Sequence, residues 1–297
     1  MDGLILFSYN LLDRKQDLAK FYEHLFHGNV PDGYIEQRMP IYDSFGLSDP
    51  LTHYTTSIAG NLLEENFNVY IACKHSPPSV ESAVEYAVLK DECKTLYMLA
   101  LTPFISKTGT IYYEQKVRKY IETYAPHVNL VSLNGYGNER EFIHLIFSRI
   151  MEAFTYINHK QPKIIFTSHS LPGTEKSNAE FIAQLEAAAL SVIRMLPKPF
   201  EYRIAYRSAG PKNQKWLGPD ILYVLSEEKE KGTEAVIVCE LLSIIENMEV
   251  IEEIGKEAKE FALDLGMEFI QTRYLNNSYE FVSFLKRLIQ KGPVRMF

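Results

Sequence analysis

A doubly wound α/β fold in two similar halves is predicted by three features of the sequence, each half a four-stranded parallel sheet flanked by helices, with a cleft between them. Short, wholly apolar runs such as Ile164-Ile165-Phe166 read as strands buried on both faces. Such runs alternate with helical segments, four strands to each half. Both halves also start alike, an apolar strand running into Ser8-Tyr9 in one and into Ser168-His169 in the other. The likeness is architectural rather than a measurable repeat.

Leu4 to Tyr9 is the first strand, followed from Asp17 to His27 by an amphipathic helix with Leu18, Phe21, Tyr22 and Leu25 on one face. Residues 28–54 carry Gly28, Pro31, Gly33, Pro40, Gly46 and Pro50 and are expected to form a loop long enough to act as a binding lip. A helix from Thr55 to Glu65 leads to a strand from Asn68 to Cys73, which ends in Lys74-His75-Ser76-Pro77. Val80 to Leu89 is helical, and Thr95 to Leu101 is the third strand. A tyrosine-rich helix and the strand from Asn129 to Leu133 complete the half. Between Asn134 and Gln161 a helix bearing Phe142, Leu145, Ile146, Ile150 and Phe154 crosses to the second half.

There the plan restarts with the strand ending in His169 and a helix from Asn178 to Arg194. Strands follow over 201–206, 235–239 and 267–271, with a long helix from Glu246 to Leu265 and a last one from Tyr279 to Gln290. The expected organisation is an N-terminal domain over 1–140, a C-terminal domain over 141–276 and a helical segment over 277–297 packing back on the body.

The bulk composition narrows the function. The 297 residues are 46% hydrophobic with a formal net charge of −7, which suits ample core and supplies no basic excess for phosphates, so no nucleic-acid partner is expected. Three cysteines are too few for a four-thiolate cluster; Cys73 and Cys239 read as small buried hydrophobes, in keeping with a reducing compartment. Met1-Asp2-Gly3-Leu4 runs directly into a strand and no apolar run is long enough to span a bilayer. A soluble, cytoplasmic protein is expected. Neither Gly-x-Gly-x-x-Gly nor a phosphate-binding loop ending in Gly-Lys-Ser/Thr occurs, so nucleotide binding has no support.

Two stretches carry the chemistry. Thr167-Ser168-His169-Ser170-Leu171-Pro172 places a histidine at the carboxyl end of a buried strand, the edge where ligands sit in open α/β sheets. Such a histidine either shapes its turn or serves a site. In the Glu246–Leu265 helix, Glu249, Glu253 and Glu257 recur every four residues away from the stripe of Ile251, Ile254, Ala258, Phe261, Ala262 and Leu265. These carboxylates are either a solvated acidic face or a row of hard ligands handing on a divalent cation. Lys74 and His75 either meet a ligand or shape their turn. Tyr112, Tyr113 and Tyr120 either line the cleft or pack, with Tyr113 the one retained as a candidate. His24, His127, His144 and His159 read as surface residues, and Trp216 as packing for its loop.

Together these stretches resemble the ferrochelatase family, over nearly the whole chain. The strongest points are Thr167 through Pro172, Arg207-Ser208-Ala209-Gly210-Pro211 with Lys215-Trp216-Leu217-Gly218-Pro219-Asp220, and Glu249-Val250-Ile251-Glu252-Glu253. Weaker ones are Leu6-Phe7-Ser8-Tyr9, Gly46-Leu47-Ser48-Asp49-Pro50, Lys74-His75, and Pro103 through Tyr113. The resemblance implies a lyase forming nitrogen–metal bonds, which inserts ferrous iron into protoporphyrin IX or coproporphyrin III during haem biosynthesis. It carries the catalytic roles onto His169 and Glu249, and metal contacts onto His169, Glu249, Glu253 and Glu257. Porphyrin contacts fall on Tyr9, Lys74 and Tyr113. No cofactor is expected beyond substrate Fe2+, apart from a bound divalent cation, and the short bacterial members it resembles imply a monomer.

The alternatives are a porphyrin- or haem-binding paralogue without turnover, or a chelatase for another metal or tetrapyrrole. Where the family has a basic pair, this chain has Phe26-His27-Gly28-Asn29, and the acid–His pair before the glutamate reads Glu246-Asn247. A family Pro, Gly and Phe turn is Glu240-Leu241-Leu242-Ser243, a family Gly is Asn10, and a family His is Phe104.

Overall fold

A computed structural model describes residues 1–12, 15–44, 49–64, 67–159, 161–210 and 213–292. Gly46-Leu47-Ser48 and Pro211 of the motifs above, and Glu65 at the end of an expected helix, lie outside the described residues. In chain order the first half runs β1 (Asp2–Ser8), α1 (Lys15–Leu25), α2 (Tyr34–Ser44), α3 (Pro50–Leu62), β2 (Phe67–Cys73), α4 (Val80–Glu85), β3 (Thr95–Ala100), α5 (Thr110–Tyr124) and β4 (Asn129–Ser132). Helix α6 (Arg140–Ala153) leads to β5 (Lys163–His169), α7 (Ala179–Met195), β6 (Tyr202–Arg207), α8 (Ile221–Glu230) and β7 (Ala235–Glu240). Then come α9 (Met248–Glu252), a wider π turn over Glu253–Ala258, α10 (Lys259–Asp264), β8 (Glu268–Gln271) and α11 (Tyr279–Lys291).

Two four-stranded sheets result, ordered β2-β1-β3-β4 and β6-β5-β7-β8. Every pairing is parallel. The two orders are the same topology, so the architectural echo in the sequence is real. In each sheet the chain leaves the first strand to one side and returns on the other, and the crevice lies where that direction changes. That point sits at the carboxyl ends of β1 and β5, where Tyr9 and His169 stand.

The period of two along each strand distributes the core. Leu4 and Leu6 of β1, Ile164 and Phe166 of β5, and Ile237 and Cys239 of β7 enter one cluster shared by both sheets and filled from α3, α6, α7 and α11. The alternate residues Ile5 and Phe7 turn to a second cluster with α4 and α5. Ile165, Ala205, Val236 and Val238 turn to a third, covered by Val224, Val250, Ile254 and Ala258. Strands apolar on both faces are what a parallel sheet covered on both sides requires.

One expectation fails over 28–54. The Gly- and Pro-rich stretch folds into α2, with Pro40 inside it, and α3 begins at Pro50, capped by the Asp49 carboxylate that accepts from the Leu51 N–H. Helix α2 contributes no buried residue of its own, yet Tyr34, Ile35, Met39 and Tyr42 pack on the small cluster of Leu12, Leu18, Phe21 and Tyr22. Local aromatic packing outweighs the helix penalty of Pro40. The long helix expected from Glu246 is interrupted by the π turn, a local widening frequent at functional sites.

Because one core serves both sheets, Phe142→Ala, which empties a fully buried ring position on α6, will cost about 3–5 kcal/mol. Urea denaturation followed by circular dichroism and by fluorescence will show one coincident transition at lower midpoint; separate transitions for the two halves would contradict the shared core.

Candidate active site

Residues Thr167 and His169 of β5, Arg207 of β6 and Glu240 of β7 continue the alternation of Ile165, Ala205 and Val238, and so project to the face that α9 covers. Asn247 caps α9 by accepting from the Val250 N–H, which fixes the first turn and the Glu249 it carries. Val250 and Ile254 anchor the same helix on the sheet. Where the family has an acidic residue and a histidine, this chain thus has a helix cap.

His169 and Glu249 meet at the sheet edge, Nε2 to Oε2 3.6 Å, with both side chains partly exposed. The His169 Nδ1 lies 2.6 Å from the Ser170 carbonyl, which only accepts, so Nδ1–H donates to it and Nε2 is the nitrogen that faces Glu249. The gap exceeds a hydrogen bond. It is close to the roughly 3.0–3.5 Å that separates two ligand atoms held at about 2.1 Å on one ion.

Behind the pair lies Arg207, its side chain 1% exposed. Its guanidinium donates to Glu240 at 3.1 Å, Glu253 at 2.9 Å and Ser243 Oγ at 2.7 Å, and Glu249 stands 3.7 Å away. Glu240 also accepts from Thr167 Oγ1 and from the backbone N–H groups of Leu242 and Ser243. Burial pushes the Glu240 carboxyl up, but Arg207 and these donors outweigh it and hold the group below its ordinary value. Ser208 adopts φ 59, a left-handed backbone unusual for serine, and its hydroxyl donates to Glu253. The turn that replaces the family's Pro, Gly and Phe is therefore the second shell of carboxylate Glu240.

The turn after His169 is held as firmly. The Ser170 N–H donates to the Arg207 carbonyl at 2.7 Å, and Ser170 Oγ to the Leu217 carbonyl at 2.7 Å. Gly173 and Lys215, and Leu217 and Leu171, are joined through their backbones. The Trp216 ring occupies the space a side chain at Gly210 would need, 2.2 Å from the site of its Cβ. This explains the pairing of Gly210 with Trp216 in the sequence and bears out the packing role expected for the tryptophan.

The three glutamates do not act as a row. Glu249 faces His169, Glu253 is drawn to Arg207 and Ser208, and Glu257 is exposed at the π turn. Burial, with repulsion from Glu253 and Glu252, raises the Glu257 carboxyl above its usual value. Among the described residues no group of three or more His, Cys, Asp and Glu side chains is arranged to hold a metal ion. Of the four residues expected to contact metal, His169 and Glu249 are brought face to face, while Glu253 and Glu257 have other surroundings.

From the other sheet, Tyr9 follows β1 with its ring 38% exposed, against His75 at 4.7 Å and Phe21 at 6.0 Å. Burial, and then the Glu249 charge, push its hydroxyl above the ordinary tyrosine value. Lys74 donates to the Thr108 carbonyl at 2.7 Å and lies over the Tyr112 ring. Tyr113 is buried, stacked on Phe7 at 4.6 Å with its hydroxyl on the Ser8 carbonyl at 2.8 Å. It supports the tip of β1 from beneath instead of presenting a ring to the cleft. Phe104, where the family has a histidine, is fully buried beside Phe181 and Gly137.

Sequence reasoning missed the contacts of four residues. Arg207 and Glu240 lie in separate motifs and pair only through sheet register, which no spacing reveals. Asp49, the α3 cap, is buried, and its carboxyl is pushed up to about 7 by burial and by Glu249, against the pull of the Leu51 N–H. His24 was expected as a surface residue without a partner; it is exposed, but its Nδ1 lies 3.0 Å from His75 Nδ1.

A cavity of about 780 Å³ opens elsewhere, lined by Lys163, Phe200, Glu201, Lys231 and Thr233. It lies at the amino ends of β5, β6 and β7, the opposite edge from His169, where open α/β sheets do not place their chemistry.

Two predictions follow from these geometries. Arg207→Met leaves Glu240 buried without a counter-charge and will destabilise the protein by about 3–5 kcal/mol in urea denaturation at pH 7; Arg207→Met with Glu240→Gln will recover part of it. Since the native Glu240 carboxyl is depressed, its contribution is present at neutral pH and fades as pH falls below the ordinary carboxylate range of about 4.3. Asp49 has the opposite sign: its raised native value makes stability decline as pH rises from about 4 towards 7. Asp49→Asn keeps the cap and will flatten that decline, seen as a smaller difference in urea midpoint between pH 5 and pH 7.5; an unchanged difference would show that Asp49 titrates normally.

The family model of ferrochelatases matches residues 2–292. The chain is 26% identical over 299 residues to a ferrochelatase of Herpetosiphon aurantiacus, covering 97% of each. It is 27% identical over 304 residues to coproporphyrin III ferrochelatase 2 of Bacillus cereus, covering 97% of this chain and 93% of that one. Among solved structures, SirB from Bacillus subtilis with Fe3+ superposes with a TM-score of 0.58 at 13% identity, covering 98% of this chain and 95% of that one. CbiX, described as the terminal enzyme of sirohaem biosynthesis in denitrifying bacteria, superposes at 0.53 with 9% identity and 98% coverage of each. These likenesses are of fold, whereas the family match extends along the sequence and through the strand-tip and helix motifs on which His169 and Glu249 stand. The chain belongs to the ferrochelatase family.

Proposed function

We propose that this protein inserts ferrous iron into a porphyrin, protoporphyrin IX or coproporphyrin III, as a monomeric enzyme of haem biosynthesis. The observation that carries the reading is His169 Nε2 facing Glu249 at 3.6 Å on the sheet edge. Metal insertion exchanges two pyrrole N–H protons for one divalent ion. His169 Nε2 accepts one proton and Glu249 receives the other or passes it to water, while the four porphyrin nitrogens close around the iron. Imidazole and carboxylate both suit ferrous iron, and neither holds it so firmly as a thiolate cage would. Tyr9 supplies an aromatic wall opposite the pair.

Ser170 fixes the His169 tautomer, and Arg207 draws Glu253 away from the cleft, leaving Glu249 to act beside the histidine. Three buried, unpaired thiols fit a reducing cytoplasm, and no described helix is long and apolar enough to cross a membrane.

Anaerobic Fe2+ insertion, followed by porphyrin absorbance with protoporphyrin IX and coproporphyrin III in turn, tests the proposal. The wild type will metallate one of them, and His169→Ala and Glu249→Gln will each lower kcat by about 100-fold or more while porphyrin binding persists. Binding of a porphyrin without turnover would leave a carrier, and turnover unaffected by either change would overturn the assignment of the pair.

A further inference from the structure

Among the described residues, His24 and His75 form a pair of metal-capable side chains that the proposed reaction does not use. His24 lies in the last turn of α1 and His75 just beyond β2, yet their Nδ1 atoms are 3.0 Å apart. Elements this distant in sequence meet here because Phe21 on α1 packs edge-on against the His75 ring at 6.1 Å. The His75 N–H is fixed on the Tyr9 carbonyl at 3.1 Å, and Tyr9 covers its ring. His75 is thus held on three sides, while His24 is exposed to solvent.

Two imidazole nitrogens bound to adjacent positions of one ion at about 2.1 Å stand about 3.0 Å apart, so the observed separation is that of a ready-made chelating pair. At this distance a single proton lies between the two nitrogens. Binding through both needs only that this proton move to Nε2 of its own ring, so no net charge is lost from the pair. Lys74, the residue before His75, has its ammonium on the Thr108 carbonyl and over the Tyr112 ring.

We infer that His24 and His75 form a second metal site on the N-terminal side of the cleft, binding a borderline divalent transition ion such as Zn2+ or Ni2+, with water filling its remaining positions. The site is distinct from His169 and Glu249, which belong to the other sheet and stand across Tyr9 from it. Its existence does not depend on the protein turning over a porphyrin. An ion there would join α1 to the tip of β2 and so fasten the aromatic lip formed by Phe21, Tyr22 and Tyr34 to the sheet.

Calorimetric titration of the metal-free protein with zinc chloride tests this, with magnesium chloride as the contrast. The wild type will show a zinc site that magnesium does not fill. His24→Ala and, separately, His75→Gln will weaken that site by about tenfold or more, whereas His169→Ala will leave it unchanged. Zinc will also raise the wild-type melting temperature, and the rise will be lost in His24→Ala, whose metal-free melting temperature matches the wild type because the replaced ring is exposed. Zinc binding equally strong in both variants, or abolished by His169→Ala alone, would overturn the inference.

Discussion

The buried guanidinium of Arg207 is the constraint on which the site depends. A cation removed from water is tolerable only if carboxylates surround it, and here Glu240 and Glu253 do so at 3.1 and 2.9 Å. That demand sets β6 and β7 relative to each other across β5, where Arg207 stands opposite His169 and Glu240 opposite Thr167 with their side chains on the same face. It also fixes α9 and the π turn against the sheet, since Glu253 must reach down from the helix. Once the helix is so placed, Glu249 one turn earlier arrives at the His169 ring without any direct bond to hold it there. A carboxylate left free of strong partners, but positioned by a neighbour that is not free, can change its proton or ligand.

The N-terminal sheet contributes by repeating the topology. The same strand order brings Tyr9 to the crevice of its own sheet as His169 is brought to the crevice of the other. The shared core of Leu6, Phe142, Phe166 and Ile237 then sets the two sheets as one body. Supports for Tyr9 are internal to its sheet: the Ser8 carbonyl accepts from both Tyr113 and the Lys74 backbone, which stiffens the strand tip that carries the ring. This is why two residues read from the sequence as cleft contacts are found supporting the strand tip.

The fold was legible because parallel strands covered on both faces write themselves as continuous apolar runs, and all eight runs became strands. His169 and Glu249 were legible too, the first from its place at a strand end and both from the resemblance of their motifs. What escaped was of one kind. Arg207, Glu240 and the His24–His75 pair depend on which residues face each other across elements, a property of register and packing that linear spacing does not encode. Helix α2 escaped for a related reason: Pro40 and the neighbouring glycines argue locally for a loop, and only the aromatic contacts of Tyr34 and Tyr42 with α1 reverse that. The regular spacing of Glu249, Glu253 and Glu257 presumes an unbroken α-helix, whereas the π turn and the pull of Arg207 give the three carboxylates three different surroundings.

The charge balance around His169 completes the argument. One buried guanidinium faces three carboxylates, Glu240, Glu249 and Glu253, so the edge of the second sheet carries two more carboxylates than guanidinium cations beside the His169 imidazole. An excess of that size, partly shielded from water, attracts a divalent cation far more than a monovalent one. It is also well suited to receive the protons that a macrocycle gives up as the ion leaves the pair, because each proton accepted relieves the same excess. The arrangement therefore suits both the arrival of a divalent ion and the uptake of protons when it departs.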